Sequence, residues 1–430
     1  MTESQLLPDL CVLGGGAAGQ VVAAGASQMG ASVVLVEAGA MGGAGLHGAA
    51  ASQALLAAAA VPGMEWPAAL QRVHRTLDAL SANVSVERLE GLGVQVLQGH
   101  GRFTSPGEVR VEGVRVCARR FVIATGAAPA LPPEHGDALT AETIFSLAER
   151  PDTLAVLGGG PIALELAQAF RRLGSTVTLH APRPLPDEDE ELADSVVTAL
   201  RREGIAVSDS PSTASATVLA ALERRPRLAG LNLDAAGVLA SEHGIKVDAG
   251  LRTSNRRIYA IGDVTGGPQS VALATAQAGL VLRSALFRLP VRNDLTALPR
   301  VVHTDPGLAR VGPNEAEARA LHGKVEILRW AMADTDRAVI DGRRDGLAKV
   351  LLDRRGRVIG AAIAGPRAAE LILPWTLAVR RRLPIGDLAG LMVPYPTLSE
   401  VSRKVATSAL LPKLFSDRVK RVVGWLARLP

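Results

Sequence analysis

The chain has 430 residues, 48% of them hydrophobic, and a formal net charge of +5. That length exceeds one ordinary domain and supplies a large core, so two or three domains are expected. Charges of both signs are scattered and no basic patch is interleaved with aromatics, which excludes a platform for single-stranded nucleic acid.

The first residues, MTESQLL, lack the basic start and long apolar core of a signal peptide. Residues 9–13 (DLCVL) read as a short buried strand, followed by a glycine turn and an Ala/Gly-rich helix to about Gly30. Residues 32–37 (SVVLVE) read as the next parallel strand, completing a βαβ unit. Residues 38–64 lack charge, but their glycines and alanines, with His47, Ser52 and Gln53 among them, favour a packed internal helix over a membrane span. Residues 53–60 and 66–84 read as helical, and residues 93–123 as short strands ending in FVIATG. The two cysteines, Cys11 and Cys117, sit far apart in β-like runs with no CxxC or Cys/His cluster. Neither a zinc site nor a disulfide framework is indicated, and free thiols fit a reducing cytoplasm.

A second βαβ begins at residue 154 (LAVLGGG) and runs to VTLH at 177–180; GIAV (204–207) then leads through the turn-rich SDSPSTAS to VLAAL. RIYAIG (257–262) reads as a strand before an Ala-rich helix at 270–286. From residue 298 the pattern changes. KVEILRW, LAKVLLD and VIGAAIAG read as antiparallel strands, with helices at 367–381 and 397–409, in a separate α+β domain.

The first turn, Gly14-Gly15-Gly16-Ala17-Ala18-Gly19, matches GxGxxG between a strand and a helix. Gly14 allows the tight turn, Gly16 lets the backbone approach a pyrophosphate, and Gly19 lets the helix pack on the strand. The helix opening at Ala17 offers free N–H groups and a positive dipole end to phosphates. Glu37 ends the next strand, where a carboxylate can accept from a ribose hydroxyl. Ala124-Thr125-Gly126 closes another strand, and Gly262-Asp263 closes one before the Ala-rich helix, so that Asp263 can accept from a ribityl hydroxyl. The second turn, Gly158-Gly159-Gly160-Pro161-Ile162-Ala163, reads as GxGxxA. Its second strand ends in His180-Ala181-Pro182-Arg183 with no acid for a 2′-hydroxyl. Arg183 there suits a 2′-phosphate, which favours NADPH over NADH, or is an ordinary surface residue.

The pairing of ATG with GD, together with MGGAGLHG (41–48), SQALL (52–56), IYAIGDVT (258–265), HTDPGLARVG (303–312), AAELI (368–372) and YPTLSE (395–400), resembles the class I pyridine nucleotide–disulfide oxidoreductase family, nearest mercuric reductase and dihydrolipoamide dehydrogenase. The resemblance implies an α/β fold with two Rossmann-like dinucleotide-binding domains, for FAD and NAD(P), plus a C-terminal α+β dimerisation domain. The implied division is a first FAD-binding part at 1–150, a shortened NAD(P)-binding domain at 151–244, a second FAD-binding part at 245–295, a dimerisation domain at 296–410 and a basic tail at 411–430. FAD is then held by Gly14, Gly16, Ala17, Gly19, Glu37, Gly43, Thr125, Gly126, Gly262 and Asp263, and the nicotinamide nucleotide by Gly158, Gly160 and Arg183.

The resemblance also implies losses. The family's CxxxxC positions match Gly45 and, allowing a one-residue deletion, Ala49, so no thiol relay is available. The family's lysine near the flavin is Gln53, while its glutamate partner persists as Glu165. The family's His–Glu base pair matches Tyr395 and Glu400; a free phenol titrates near ~10 and is a poor base at neutral pH. These two residues act in catalysis or only hold a dimer contact. His47 stands near the vanished disulfide, able to donate to a reduced flavin or a substrate oxygen, or simply structural. The second ATG-like turn reads Ala221-Leu222-Glu223, without glycine.

Three functions fit. One is an FAD-dependent NAD(P)H oxidoreductase passing electrons directly to a small acceptor such as a quinone, oxygen or a metal ion. The second is flavin-mediated transhydrogenation between nicotinamide nucleotides. The third is a degenerate flavoprotein serving as a binding module. A homodimer is expected. Residues 413–429 (KLFSDRVKRVVGWLARL) place an apolar face opposite Lys413, Lys420, Arg421 and Arg428, with Arg418 intruding on the apolar side. Such a helix lies at the inner face of a membrane or packs on the body or on a partner subunit.

Overall fold

The computed structural model describes residues 4–131, 133–209 and 216–429. Most of the SDSPSTAS stretch lies outside the described residues. The chain forms two compact units: Met1–Gly158, Ala169–Val177 and Pro211–Asp294 make the first, and Gly159–Gln168, Thr178–Ser210 and Leu295–Pro430 the second.

The first unit is built on a parallel sheet in the order Ile258–Ala260, Arg120–Ile123, Leu10–Leu13, Val33–Glu37, Val94–Gln98. Its central strands are buried along their length because apolar residues face both ways, the pattern of a sheet covered on two sides. One cover is the helix Ala17–Gln28, which buries Ala18, Gly19, Val22, Ala23 and Ala26. It packs on the helix Val271–Phe287 so closely that a Cβ at Gly25 would stand 2.7 Å from a Leu282 methyl. The small residues of the sequence are what allow this approach. On the other side a four-stranded sheet of Gln5–Leu6, Val114–Val116, Glu108–Val111 and Arg102–Ser105 buries Phe103 against Phe121. Leu139–Thr140, Thr217–Ala220 and Thr153–Leu157 pair in parallel in the same unit.

The second unit holds an antiparallel sheet, ordered Pro299–Val302, Gly307–Val311, Val358–Gly365, Leu347–Leu352, Glu326–Ala331. Trp375 and Val401, from the helices Leu373–Arg381 and Glu400–Ser408, join its core. Thr178–His180 pairs in parallel with Ala206–Ser208.

The α/β class and the switch to an antiparallel α+β region after residue 298 are as expected from sequence. Several boundaries differ. Helical structure begins at Gly43 and passes through a π-helical stretch, Gly45–Ala50, into Ala51–Ala59. The helix expected at 367–381 breaks into Ala368–Leu371 and Leu373–Arg381, since Pro374 cannot donate within a continuous ladder. The tail helix breaks too, into Leu411–Leu414 and Asp417–Leu426, because the Ser416 side chain caps the second piece by accepting from Val419 N. The helix Glu190–Arg202 was not expected, although Leu192, Val196 and Leu200 recur on one buried face. Among the described residues no helix is long and apolar enough to cross a membrane.

Candidate functional site

The Leu10–Leu13 strand ends in the first glycine turn. Gly14 adopts φ +109°, and a Cβ there would fall 2.4 Å from the carbonyl oxygen of Ala124. Gly16 differs: it is the extended residue before the helix, and an added Cβ would meet nothing within 4 Å. No side chain caps this helix, so its first N–H groups point toward open space. That space is a groove of about 870 Å³ within the first unit.

Glu37, at the end of its strand, pins the turn. One carboxylate oxygen accepts from Gly15 N and the other from Gly39 N at 2.7 Å. The Gly42-Gly43 pair folds onto the same turn, with Gly42 N donating to Gly15 O at 2.9 Å. Ala17, Gly43, Thr125, Gly126, Gly262 and Asp263 all line the groove with Gly14, Gly16 and Glu37. Gly19 does not line it; it lies under the turn, where a Cβ would strike Gly14 O at 1.9 Å.

Burial pushes the Asp263 carboxyl above its ordinary range, and the Arg224 charge and a hydrogen bond from the Ser270 backbone oppose the shift. A carboxylate held in this condition gains from any hydroxyl that donates to it. The Thr125 hydroxyl donates to Arg227 O at 2.9 Å, tying the strand end to the Arg224–Arg227 segment. Arg224 itself donates to Ala127 O and to Glu142, each at 2.7 Å. Glu142, Arg225 and Arg227 line the groove and were not among the expected residues. Arg225 and Arg227 were signalled in sequence by the arginine-rich segment 224–227; nothing local signalled Glu142.

His47 lines the groove with Ala44 and Gly45, and its Nε2 lies 3.0 Å from Met41 O. A Cβ on Gly45 would approach Val271 Cγ2 at 3.3 Å, so a bulkier side chain there requires Val271 to give way. No cysteine is among the groove's described lining residues. Cys11 is fully buried, which pushes its thiol well above the ordinary range. Cys117 lies beside Gln5 and Glu108.

The groove fits an extended dinucleotide such as FAD. Gly16 leaves room for a pyrophosphate at an uncapped helix end, and Glu37 and the partly buried Asp263 line the same groove.

The second glycine turn repeats the backbone device. Gly158 has φ +123°, and its Cβ would fall 2.4 Å from Ala221 O, the counterpart of Gly14 on Ala124. Gly160, like Gly16, has nothing within 4 Å. The strand after it ends in buried His180 rather than an acid, and Arg183 is exposed.

The remaining expected residues are not among the groove's described lining residues. Gln53 is partly buried in the Ala51–Ala59 helix of the first unit. Glu165, in the second unit, is buried and accepts from His303 N at 2.8 Å. Tyr395 does not meet Glu400: its hydroxyl donates to Asp336 Oδ2 at 3.0 Å. That bond and the Asp336 charge raise the phenol above its ordinary value. Glu400 is buried, with one oxygen 3.2 Å from Lys404 Nζ and the other without a partner.

Comparison with known proteins agrees with this architecture. Residues 8–278 match the family model described as pyridine nucleotide-disulphide oxidoreductase, and residues 298–406 match that family's dimerisation domain. The chain is 31% identical over 440 residues to a mercuric reductase of Staphylococcus aureus, covering 91% of this chain and 80% of that protein. It is 34% identical over 447 residues to a dihydrolipoyl dehydrogenase of Thermus scotoductus, covering 91% and 95%. Among solved structures, the Cu(II) complex of the HOCl-induced flavoprotein disulfide reductase RclA from Escherichia coli superposes with a TM-score of 0.87 at 25% identity, covering 95% of this chain and 100% of that one. Family-model matches over residues 8–278 and 298–406, together with relatives more than 30% identical along most of both chains, make the chain a member of the pyridine nucleotide-disulphide oxidoreductase family.

Proposed function

We propose that the protein is an FAD-dependent NAD(P)H oxidoreductase that passes electrons directly to a small acceptor, a quinone, oxygen or a metal ion, without a thiol relay. The observation that carries this reading is a complete dinucleotide cradle whose wall at residues 44–47 bears no sulfur. Bound FAD supplies the capacity to take a hydride and release electrons. The chain's own part is binding and positioning. Gly14, Gly16 and the uncapped helix at Ala17 hold the pyrophosphate, Glu37 the adenosine ribose, and Asp263 the ribityl hydroxyls. His47 can hold or deliver a proton from the groove wall. Gly45 and Ala49 leave no bulk beside it, which suits an acceptor that approaches directly. Gly158, Gly160 and Arg183 hold the nicotinamide nucleotide, with Arg183 favouring a 2′-phosphate. Gln53, in place of the family's lysine, removes a cation and leaves tuning of the cofactor to the Arg224–Glu142 pair.

The same reading keeps the domain division at 1–150, 151–244, 245–295, 296–410 and 411–430. The matched dimerisation domain supports a homodimer.

Anaerobic mixing of the holoprotein with NADPH and with NADH tests the proposal. Loss of the visible flavin band, restored by a quinone or by oxygen, is the expected result. A band that neither nucleotide bleaches leaves the protein as a flavin-binding module, a reading favoured by the engagement of Tyr395 with Asp336.

A further inference from the structure

The flavin reading leaves the C-terminal tail unused. Leu411–Leu414 and Asp417–Leu426 bury none of their residues. Phe415 is 66% exposed and Trp425 64% exposed, and Leu414, Val422, Val423, Leu426 and Leu429 are exposed with them. Four side chains of the second helix, Val419, Val422, Val423 and Leu426, fall on one face at about 100° per residue. Asp417, Arg421 and Gly424 take the opposite face; Trp425 and Arg418 stand at one boundary and Lys420 at the other. Over residues 413–429 there are five cations, Lys413, Arg418, Lys420, Arg421 and Arg428, against one carboxylate, Asp417.

We infer that this tail docks on an anionic lipid bilayer, lying in the interface with its valine and leucine face down. Three features select that occupant. The apolar face is rimmed by cations on both sides, the complement of a layer of acidic headgroups over hydrocarbon. An indole at the boundary is the side chain that sits at headgroup level. A helix of ten residues is too short to span, so it lies flat. A second copy of the chain is a poorer match, since it also carries net positive charge. The tail follows the residues matched by the dimerisation domain, which end at 406. The inference stands apart from the electron acceptor: it holds whether or not the flavin reading does.

Flotation of the full-length holoprotein with vesicles tests it. Vesicles of phosphatidylcholine alone are compared with vesicles containing a third phosphatidylglycerol. Binding to the acidic vesicles only is expected, with a blue shift of the exposed Trp425. Each cation replaced by glutamine on the rim weakens binding about fivefold. Val423→Glu abolishes it while sedimentation of the protein without lipid stays unchanged. Equal flotation with both vesicle types, no flotation, or undiminished flotation of Val423→Glu overturns the inference. So does a Val423→Glu protein whose dimer falls apart, because the face then belongs to a second copy.

Discussion

At Gly14 and Gly16 the same residue type serves two purposes, and substitution separates them. Gly14→Ala forces a Cβ to within 2.4 Å of the Ala124 carbonyl at a positive φ, so the backbone must move. A loss of about 1–3 kcal/mol is expected, seen as a lower melting temperature with or without flavin. Gly16→Val meets no protein atom within 4 Å at its Cβ. The flavin-free protein should keep its melting temperature, while the purified protein loses its colour. Asp263 gives a pH signature. Its folded pKa is raised, mainly by burial, so the folded state holds a proton that the unfolded chain releases. Stability of the flavin-free protein therefore falls as pH rises through the carboxyl's titration, and the penalty is fully present at neutral pH. Asp263→Asn removes that penalty. It should raise the flavin-free melting temperature at neutral pH and weaken flavin retention. An Asp263→Asn protein that melts lower at neutral pH would contradict this account. The hydrogen bond to Asp336 and the Asp336 charge raise the Tyr395 phenol and so disfavour its loss of a proton; Tyr395→Phe is expected to leave the pH profile of turnover unchanged across the neutral range.

Between elements, the second unit holds an ion cluster around the buried Lys349. Lys349 is 2% exposed and reaches Asp189 at 3.0 Å, Glu191 at 2.6 Å and Glu315 at 2.8 Å. Arg329 joins it through Glu191 and Glu315. The cluster ties the Glu190–Arg202 and Glu315–His322 helices to the antiparallel sheet. Burial alone would lower the Lys349 pKa, but its three carboxylate partners raise it. Hydrogen bonding to Lys349 lowers Glu315; burial opposes the shift of Glu191, but Arg329 and Lys349 outweigh it. Lys349→Met leaves three carboxylates around an apolar side chain, and a loss of about 3–5 kcal/mol is expected in chemical denaturation. Because both glutamates titrate below their ordinary range in the fold, the stability they contribute is lost as pH falls through those depressed values. The deficit of Lys349→Met should therefore shrink in acid. The cluster was hidden in the sequence because its members lie in strands and helices far apart along the chain.

For the whole molecule, the dimerisation domain predicts that apolar side chains now open to solvent are covered by a second copy. Met392 is 99% exposed and Leu373 70% exposed, with Leu377 exposed on the same helix as Leu373. Sedimentation should give twice the chain mass, and Leu377→Asp should move it toward the monomer. The α/β class, the C-terminal α+β region and the glycine turns were legible in sequence. A strand ending in glycine and followed by an Ala-rich helix is a local device that any nearby reader of the chain can find. Glu37 was legible for the same reason, as an acid ending the next strand. The absence of cysteine from residues 42–53 needed no structure at all. What sequence did not yield was the choice of partners. Nothing in YPTLSE foretells that Tyr395 donates to Asp336, 59 residues away, instead of meeting Glu400. Nor does the helix at 161–172 announce that Glu165 accepts from His303. Backbone turns and strand periods are set by neighbours within a few residues, so the amino-acid order determines them directly. Which carboxylate a buried cation or hydroxyl meets depends on distances between remote segments, and only the packed chain decides those.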